Sequence, residues 1–144
     1  MKQKDVACPG KVLNNTSAKI PRHSNSWIED KLKFLSNYKF TIAMENESAY
    51  NYITEKIFHS FLAGSIPIYW GAPNINDFFN PKSFINISDF NTFDDAIEYV
   101  KEVDNNDALY TSYLSEFPIH SKSKLNNITE ENIIQFFRKI IKCT

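Results

Sequence analysis

Glycine is scarce in this 144-residue sequence, which has three: Gly10, Gly64 and Gly71. Each falls just past the predicted end of a strand or helix, so together they mark element boundaries and form no phosphate-cradling loop. Neither a Gly-x-Gly-x-x-Gly nor a Walker motif occurs. Cysteine is scarcer still. Cys8 and Cys143 stand near opposite ends, with no metal-ligand spacing and no disulfide framework. The histidines His23, His59 and His120 are isolated and give no zinc signature. No apolar run reaches the ~18 residues of a membrane-spanning helix, and Met1-Lys2-Gln3-Lys4-Asp5 lacks the form of a signal peptide. These absences lead us to expect a soluble, cytosolic protein, its two free thiols suiting a reducing compartment. A net charge of −1 argues against nucleic-acid binding by bulk electrostatics. It leaves room for a small anionic ligand, which needs only one or two well-placed cations. Sequons at Asn14, Asn15, Asn46, Asn86 and Asn127 are expected by chance in a chain this rich in asparagine.

What is present is an α/β pattern. The length suits a single domain over 1–144, and 42% hydrophobic with 15% aromatic residues supplies a core. Strands are expected at Val6–Cys8, Phe40–Met44, Ile66–Trp70 and Phe84–Ile87, with helices between and after them. That alternation predicts a parallel sheet covered by helices. A helix with Ser26 as cap covers Trp27 to Leu35. The next runs from about Tyr52 to Ala63, with Ile53, Ile57 and Phe61 as its apolar stripe, Asn51 as N-cap and Gly64 at C′. Thr92 and Asp95 make a capping-box start for a helix through about Val103, striped by Phe93, Ile97 and Val100. A shorter helix covers Ala108 to Ser115. The last helix, 129–142, starts at Thr129-Glu130-Glu131 and carries Arg138, Lys139 and Lys142 in its final turn, as the helix dipole favours. We expect Ile133, Phe136, Phe137, Ile140 and Ile141 to pack it onto the domain; contact with a membrane surface is the alternative.

In an open α/β sheet, ligands bind beyond the carboxyl ends of the strands, against helix N-termini. Asn46 leaves such a strand end, and helical spacing would place Tyr52, Glu55, Lys56 and His59 along one side of the next helix. Unpaired N–H groups at that end suit a pyrophosphate, Lys56 could add a cation, and Glu55 could accept from ribose hydroxyls. Residue types alone leave another reading open: Asn46 satisfies a turn, Glu55 favours the helix end electrostatically, and Lys56 is a solvated charge.

The exact string is more specific. Tyr38-Lys39-Phe40, Glu45-Asn46, Tyr52-Ile53-Thr54-Glu55-Lys56, Ala63 to Gly71 (AGSIPIYWG) and Phe79 to Asn86 (FNPKSFIN) resemble the α-1,3/4-fucosyltransferases of glycosyltransferase family 10. Order and spacing also match, over roughly residues 30–115, most closely to bacterial members such as the Helicobacter enzymes, which act on lipopolysaccharide O-antigen. The resemblance implies a Rossmann-like sheet forming the carboxyl-terminal half of a GT-B enzyme. Such an enzyme moves L-fucose from GDP-fucose to an N-acetylglucosamine or glucose unit of a glycan acceptor, with inversion. It further implies that Glu55 binds ribose, Lys56 the pyrophosphate, and Asn46 and Tyr52 the phosphate and sugar region, with Glu45 in the same pocket. No cofactor and no dedicated metal site is implied, because cationic side chains and a helix end neutralise the leaving GDP.

Departures from the family pattern shape the expectation. Met44 stands where the family usually has Phe, a tolerable apolar exchange. The acceptor-binding half, which supplies a carboxylate general base, has no counterpart here. Nor do the donor half's first strand and helix, the latter contributing an Arg. Lys11 and Arg22 are candidate substitutes that match no motif. Asp94-Asp95 reads as helix capping and not as a metal-binding pair. The expected catalytic base is therefore outside the sequence, and the isolated chain is expected to bind donor weakly without turnover. A stand-alone nucleotide-sugar-binding module and a GT-B transferase of another GDP-sugar are the competing readings.

Overall fold

Three short apolar runs become the strands of one parallel sheet: β1 (Phe40–Met44), β2 (Ile66–Trp70) and β3 (Ile85–Asn86), in the order β1-β2-β3. The computed structural model describes residues 5–18, 20 and 26–141; Arg22, His23, Lys142 and Cys143 lie outside these. Register pairs Phe40 with Ile66 and Met44 with Trp70, and then Ile68 with Ile85. Pro67 sits in the central strand without breaking it. The Ile66 N–H donates toward β1, to Lys39 O, so alternation turns the Pro67 nitrogen toward β3, one residue before that pairing begins.

Among the described residues five α-helices accompany the sheet: α1 (Trp27–Leu35), α2 (Glu55–Leu62), α3 (Phe93–Asn105), α4 (Asp107–Ser115) and α5 (Glu130–Ile141). Alternation along the strands splits the core between the two faces of the sheet. On one face Ala43 and Tyr69 meet Ile57 of α2, with Ile75, Phe79 and Phe84 closing the cluster. On the other, Ile66 and Ile85 meet Val103 of α3, joined by Phe40, Val100, Leu109 and Tyr110. α1 packs on α2. Lys39 ties the start of β1 to the far helices: its Nζ donates to Asp104 O at 3.0 Å and lies 4.7 Å from the Tyr110 ring centroid. Asn80 is a second latch, its amide donating to Glu116 Oε2 at 2.9 Å and to Phe117 O at 3.2 Å.

Local signals hold where they are self-contained. Thr92 and Asp95 form the capping box. Gly64 takes φ 69° at C′, where Gly64 N donates to Phe61 O and Ser65 N to Ser60 O, the paired bonds of a Schellman end. Thr129 caps α5 through Asn132 N.

Several expectations are corrected. Val6–Cys8 is not a strand: the Asn15 side chain accepts from Cys8 N and donates to Val6 O, both at 2.8 Å, doing what a neighbouring strand would do. Ser26 makes no cap bond; its hydroxyl donates to Asp30 instead. β3 pairs over two residues only, because Asn86 turns the chain into a 3-10 segment by accepting from Ser88 N. The buried face of α3 is Ala96 and Val103, flanked by Tyr99 and Val100, while Phe93 and Ile97 are exposed. α5 does not pack onto the domain: Ile133, Phe136 and Phe137 are 46%, 62% and 56% exposed. The side chains of Ile140 and Ile141 lie outside the described residues. Among the described residues no helix is long and apolar enough to cross a membrane.

Candidate functional site

The carboxyl ends of β1 and β2 and the N-terminus of α2 meet at one edge of the sheet, and residues 45–54 cross that edge. Ser48 pins this crossing by donating to Gly71 O at 2.9 Å. Asn51 is not the N-cap of α2. It takes φ 62°, a conformation Asn tolerates, in a turn closed by Tyr52 N to Ala49 O. Asn74 locks that turn by accepting from Asn51 N at 3.0 Å and donating to Asn51 Oδ1 at 2.9 Å. α2 therefore starts at Glu55, three residues later than the expected start at Tyr52, with Thr54 at the N-cap.

Thr54 makes no cap bond. Both its donors point at Glu45: the N–H to Oε1 at 2.8 Å and the hydroxyl between Oε1 at 3.0 Å and Oε2 at 2.7 Å. The Lys56 ammonium donates to Oε2 at 2.8 Å and to Thr54 Oγ1 at 3.2 Å. The Glu45 side chain is fully buried and that of Lys56 is 28% exposed. Burial pushes the Glu45 carboxyl up, but the Lys56 and Thr54 donors outweigh it and hold the group below its ordinary value. Gly71 makes room for this carboxylate, since a Cβ there would lie 2.6 Å from both Glu45 Cγ and Tyr69 Oη. Tyr69 Oη accepts from Ala72 N at 2.9 Å.

Of the residues predicted to form the site, Glu45 and Lys56 are thus brought into direct contact. Asn46, Tyr52 and Glu55 are all exposed on the same edge: Asn46 just beyond β1, Tyr52 at the locked turn and Glu55 at the first position of α2. Lys11 is exposed in the irregular segment before α1. His59 is not on this edge. It is buried between α1 and α2, its ring 5.9 Å from Trp27 and its Nδ1 2.9 Å from Lys31 Nζ. The residues that sequence reasoning passed over are Thr54, Ser48, Tyr69, Gly71 and Asn74. Thr54, Tyr69 and Gly71 lie inside the matching string, but Glu45, against which Thr54 and Gly71 sit, is too distant in sequence for local spacing to reveal.

The buried imidazole has a pH consequence. Burial first, and the Lys31 ammonium second, hold His59 below 6.5, with Glu55 opposing. The folded state therefore binds fewer protons than the unfolded one. Its stabilisation is present above pH 6.5 and is lost as pH falls through the lowered folded value. Thermal melts of the chain should show a lower midpoint at about pH 5.5 than at about pH 7.5, and His59→Gln should shrink that difference.

Chemically, the edge offers a helix N-terminus with no side-chain cap, a cation fixed beside it, and exposed amide, phenol and carboxylate groups around it. Comparison with known proteins gives the same location a context. Residues 5–140 match the family described as glycosyltransferase family 10 (fucosyltransferase), C-terminal part. The chain is 39% identical over 119 residues to the alpha-(1,3)-fucosyltransferase FucT of Helicobacter pylori, covering 80% of this chain and 25% of that protein. It is 30% identical over 158 residues to the GDP-fucose protein O-fucosyltransferase 3 of Xenopus laevis, covering 98% of this chain and 34% of that one. A crystal structure of an alpha1,3-fucosyltransferase with GDP-fucose superposes with a TM-score of 0.79 at 36% identity, over 92% of this chain and 38% of that one. The chain spans a quarter to a third of the length of these curated relatives. Its parallel α/β fold is that of a GT-B fucosyltransferase, and the chain belongs to glycosyltransferase family 10, the fucosyltransferases, whose carboxyl-terminal domain it represents.

Proposed function

We propose that this chain is the donor-holding half of a fucosyltransferase, binding GDP-fucose at the edge formed by β1, β2 and the start of α2. The observation that carries this reading is the uncapped α2 N-terminus, whose would-be capping hydroxyl is turned onto Glu45 while Lys56 stands alongside. That arrangement leaves first-turn N–H groups and a cation for a diphosphate. Lys56 takes the pyrophosphate, Glu55 the ribose hydroxyls, and Asn46 and Tyr52 the phosphate and sugar region. The names of the relatives support a donor role for the shared segment. A mouse relative, 36% identical over 114 residues, is named for an N-acetylglucosaminide acceptor, and the Xenopus relative for a protein acceptor. Both are fucosyltransferases, so the segment they share with this chain fits what the reactions have in common.

Transfer of L-fucose to an N-acetylglucosamine or glucose unit of a glycan is the reaction we assign to the whole protein. An inverting transfer needs a base at the acceptor hydroxyl, and we assign it to a part of the protein outside this chain, so that the chain alone binds donor without turnover. Calorimetric titration tests the reading. GDP and GDP-fucose should bind, GDP-mannose more weakly than GDP-fucose, and UDP hardly at all. A folded chain that binds UDP as well as GDP, or neither, contradicts it.

A further inference from the structure

We infer that Glu45 is a positioning residue that acts on the donor through Lys56 and Thr54 and does not itself touch the nucleotide sugar; this rests on the donor-site reading above. Its side chain has no exposed surface, and both oxygens are occupied. Oε1 takes Thr54 N–H, Oε2 takes the Lys56 ammonium, and the Thr54 hydroxyl lies between them. A carboxylate offers about four acceptor positions, and Thr54 N–H, the Thr54 hydroxyl and the Lys56 ammonium take three of them. With no exposed surface, the carboxylate presents nothing to the open edge where the ribose and fucose hydroxyls would lie. The space behind the carboxylate is tight: a Cβ at Gly71 would lie 2.6 Å from both Glu45 Cγ and Tyr69 Oη.

The same network explains how one acidic residue can help an anion bind. By taking both Thr54 donors, Glu45 keeps the hydroxyl away from the first-turn N–H groups it would otherwise cap, leaving them to a ligand. By pairing with Lys56 Nζ, it holds a four-carbon side chain in one rotamer beside that opening, so less side-chain entropy is lost when a phosphate arrives. The pairing lowers the free charge of Lys56, so the arrangement exchanges raw attraction for placement.

A double-mutant cycle on GDP binding separates acting through Lys56 from touching the donor. Glu45→Gln is isosteric and can still accept from Thr54 N–H, but presents no charge to Lys56. We expect about a tenfold weaker Kd for GDP when Lys56 is present. In a Lys56→Met background the same change should leave binding unchanged or tighter, because it removes a carboxylate that has lost its partner. Equal weakening in both backgrounds would mean direct contact with the donor and overturns the inference, as does tighter binding of GDP by Glu45→Gln with Lys56 intact. Should Glu45→Gln fail to fold, Thr54→Val carries the cycle. It removes the hydroxyl that both Glu45 and Lys56 touch. It should weaken GDP binding about threefold with Lys56 present and leave it unchanged in the Lys56→Met background; the same loss in both backgrounds again overturns the inference. A wild-type chain that binds no GDP overturns the donor-site reading, and this inference with it. A wild type that binds with no coupling between positions 45 and 56 overturns the inference alone.

Discussion

Lys56→Met should weaken GDP binding by roughly 10- to 100-fold, the equivalent of about 1.5–3 kcal/mol for a charge-assisted hydrogen bond to phosphate. Methionine keeps the apolar stem of the lysine and removes the ammonium, so the loss reports charge and donors more than packing. A second effect pushes the same way. Glu45 is fully buried and loses its only cationic partner seen among the described residues. Stranding a buried charge costs about 3–5 kcal/mol when nothing compensates, and here the Thr54 donors offset part of that. The variant should therefore also melt lower than wild type, and Glu45→Gln added to it should recover some of the stability. Glu55→Gln is the comparison: it leaves the Glu45–Thr54–Lys56 network untouched, so its effect on GDP binding should be smaller, while His59 loses the opposing charge of Glu55. Titration calorimetry together with thermal melts reads all of these variants.

Phe79→Ala should destabilise the chain by about 3–5 kcal/mol, the range for emptying a large buried aromatic site. Phe79 is 1% exposed, and its ring lies 5.2 Å from that of Phe58 and 5.6 Å from that of Phe61, both on α2. It sits in one cluster with Ile57 and with Ala43 and Tyr69 of the sheet. Because α2 leans on this ring, the cavity falls under the helix whose N-terminus we assign to the diphosphate. For a chain of this size the melting temperature should drop by roughly 6–20 °C. GDP affinity should fall as well, since Phe79 shares its cluster with Ile57 in the first turn of α2 and with Tyr69. Phe79→Leu should keep most of both, since it leaves a smaller void.

How much of this was legible in the sequence differs by the range of the interaction. α1 and both long strands run over the residues their apolar patterns mark out, and the Thr92 capping box and the Gly64 terminus follow from residues within five positions of each other. The start of α2 was not legible. Its stripe begins at Ile53, but the Asn51–Asn74 lock and the Glu45–Thr54 bonds hold residues 51–54 out of the helix. Helical spacing puts His59 in line with Glu55, whose charge does reach it, but spacing does not show that α1 docks there and buries the ring against Trp27. The tail misled because an amphipathic stripe shows that a face is apolar and not what covers it.

The family string, read in three dimensions, divides its labour. Lys39 and Asn80 are latches between distant segments, Gly71 and Tyr69 shape the space behind Glu45, and the exposed edge keeps Asn46, Tyr52, Glu55 and Lys56. Matching such a string identifies the family, while its separate jobs emerge only from contacts spanning tens of residues.

The most direct test of the central claim is to add GDP to the isotopically labelled chain and follow its backbone amide resonances. The largest shifts should fall on Asn46 and on Glu55, Lys56 and Ile57 at the start of α2, with α3 and α4 unmoved. Shifts centred on any other face, or none at GDP concentrations that saturate a relative of the family, would contradict the claim.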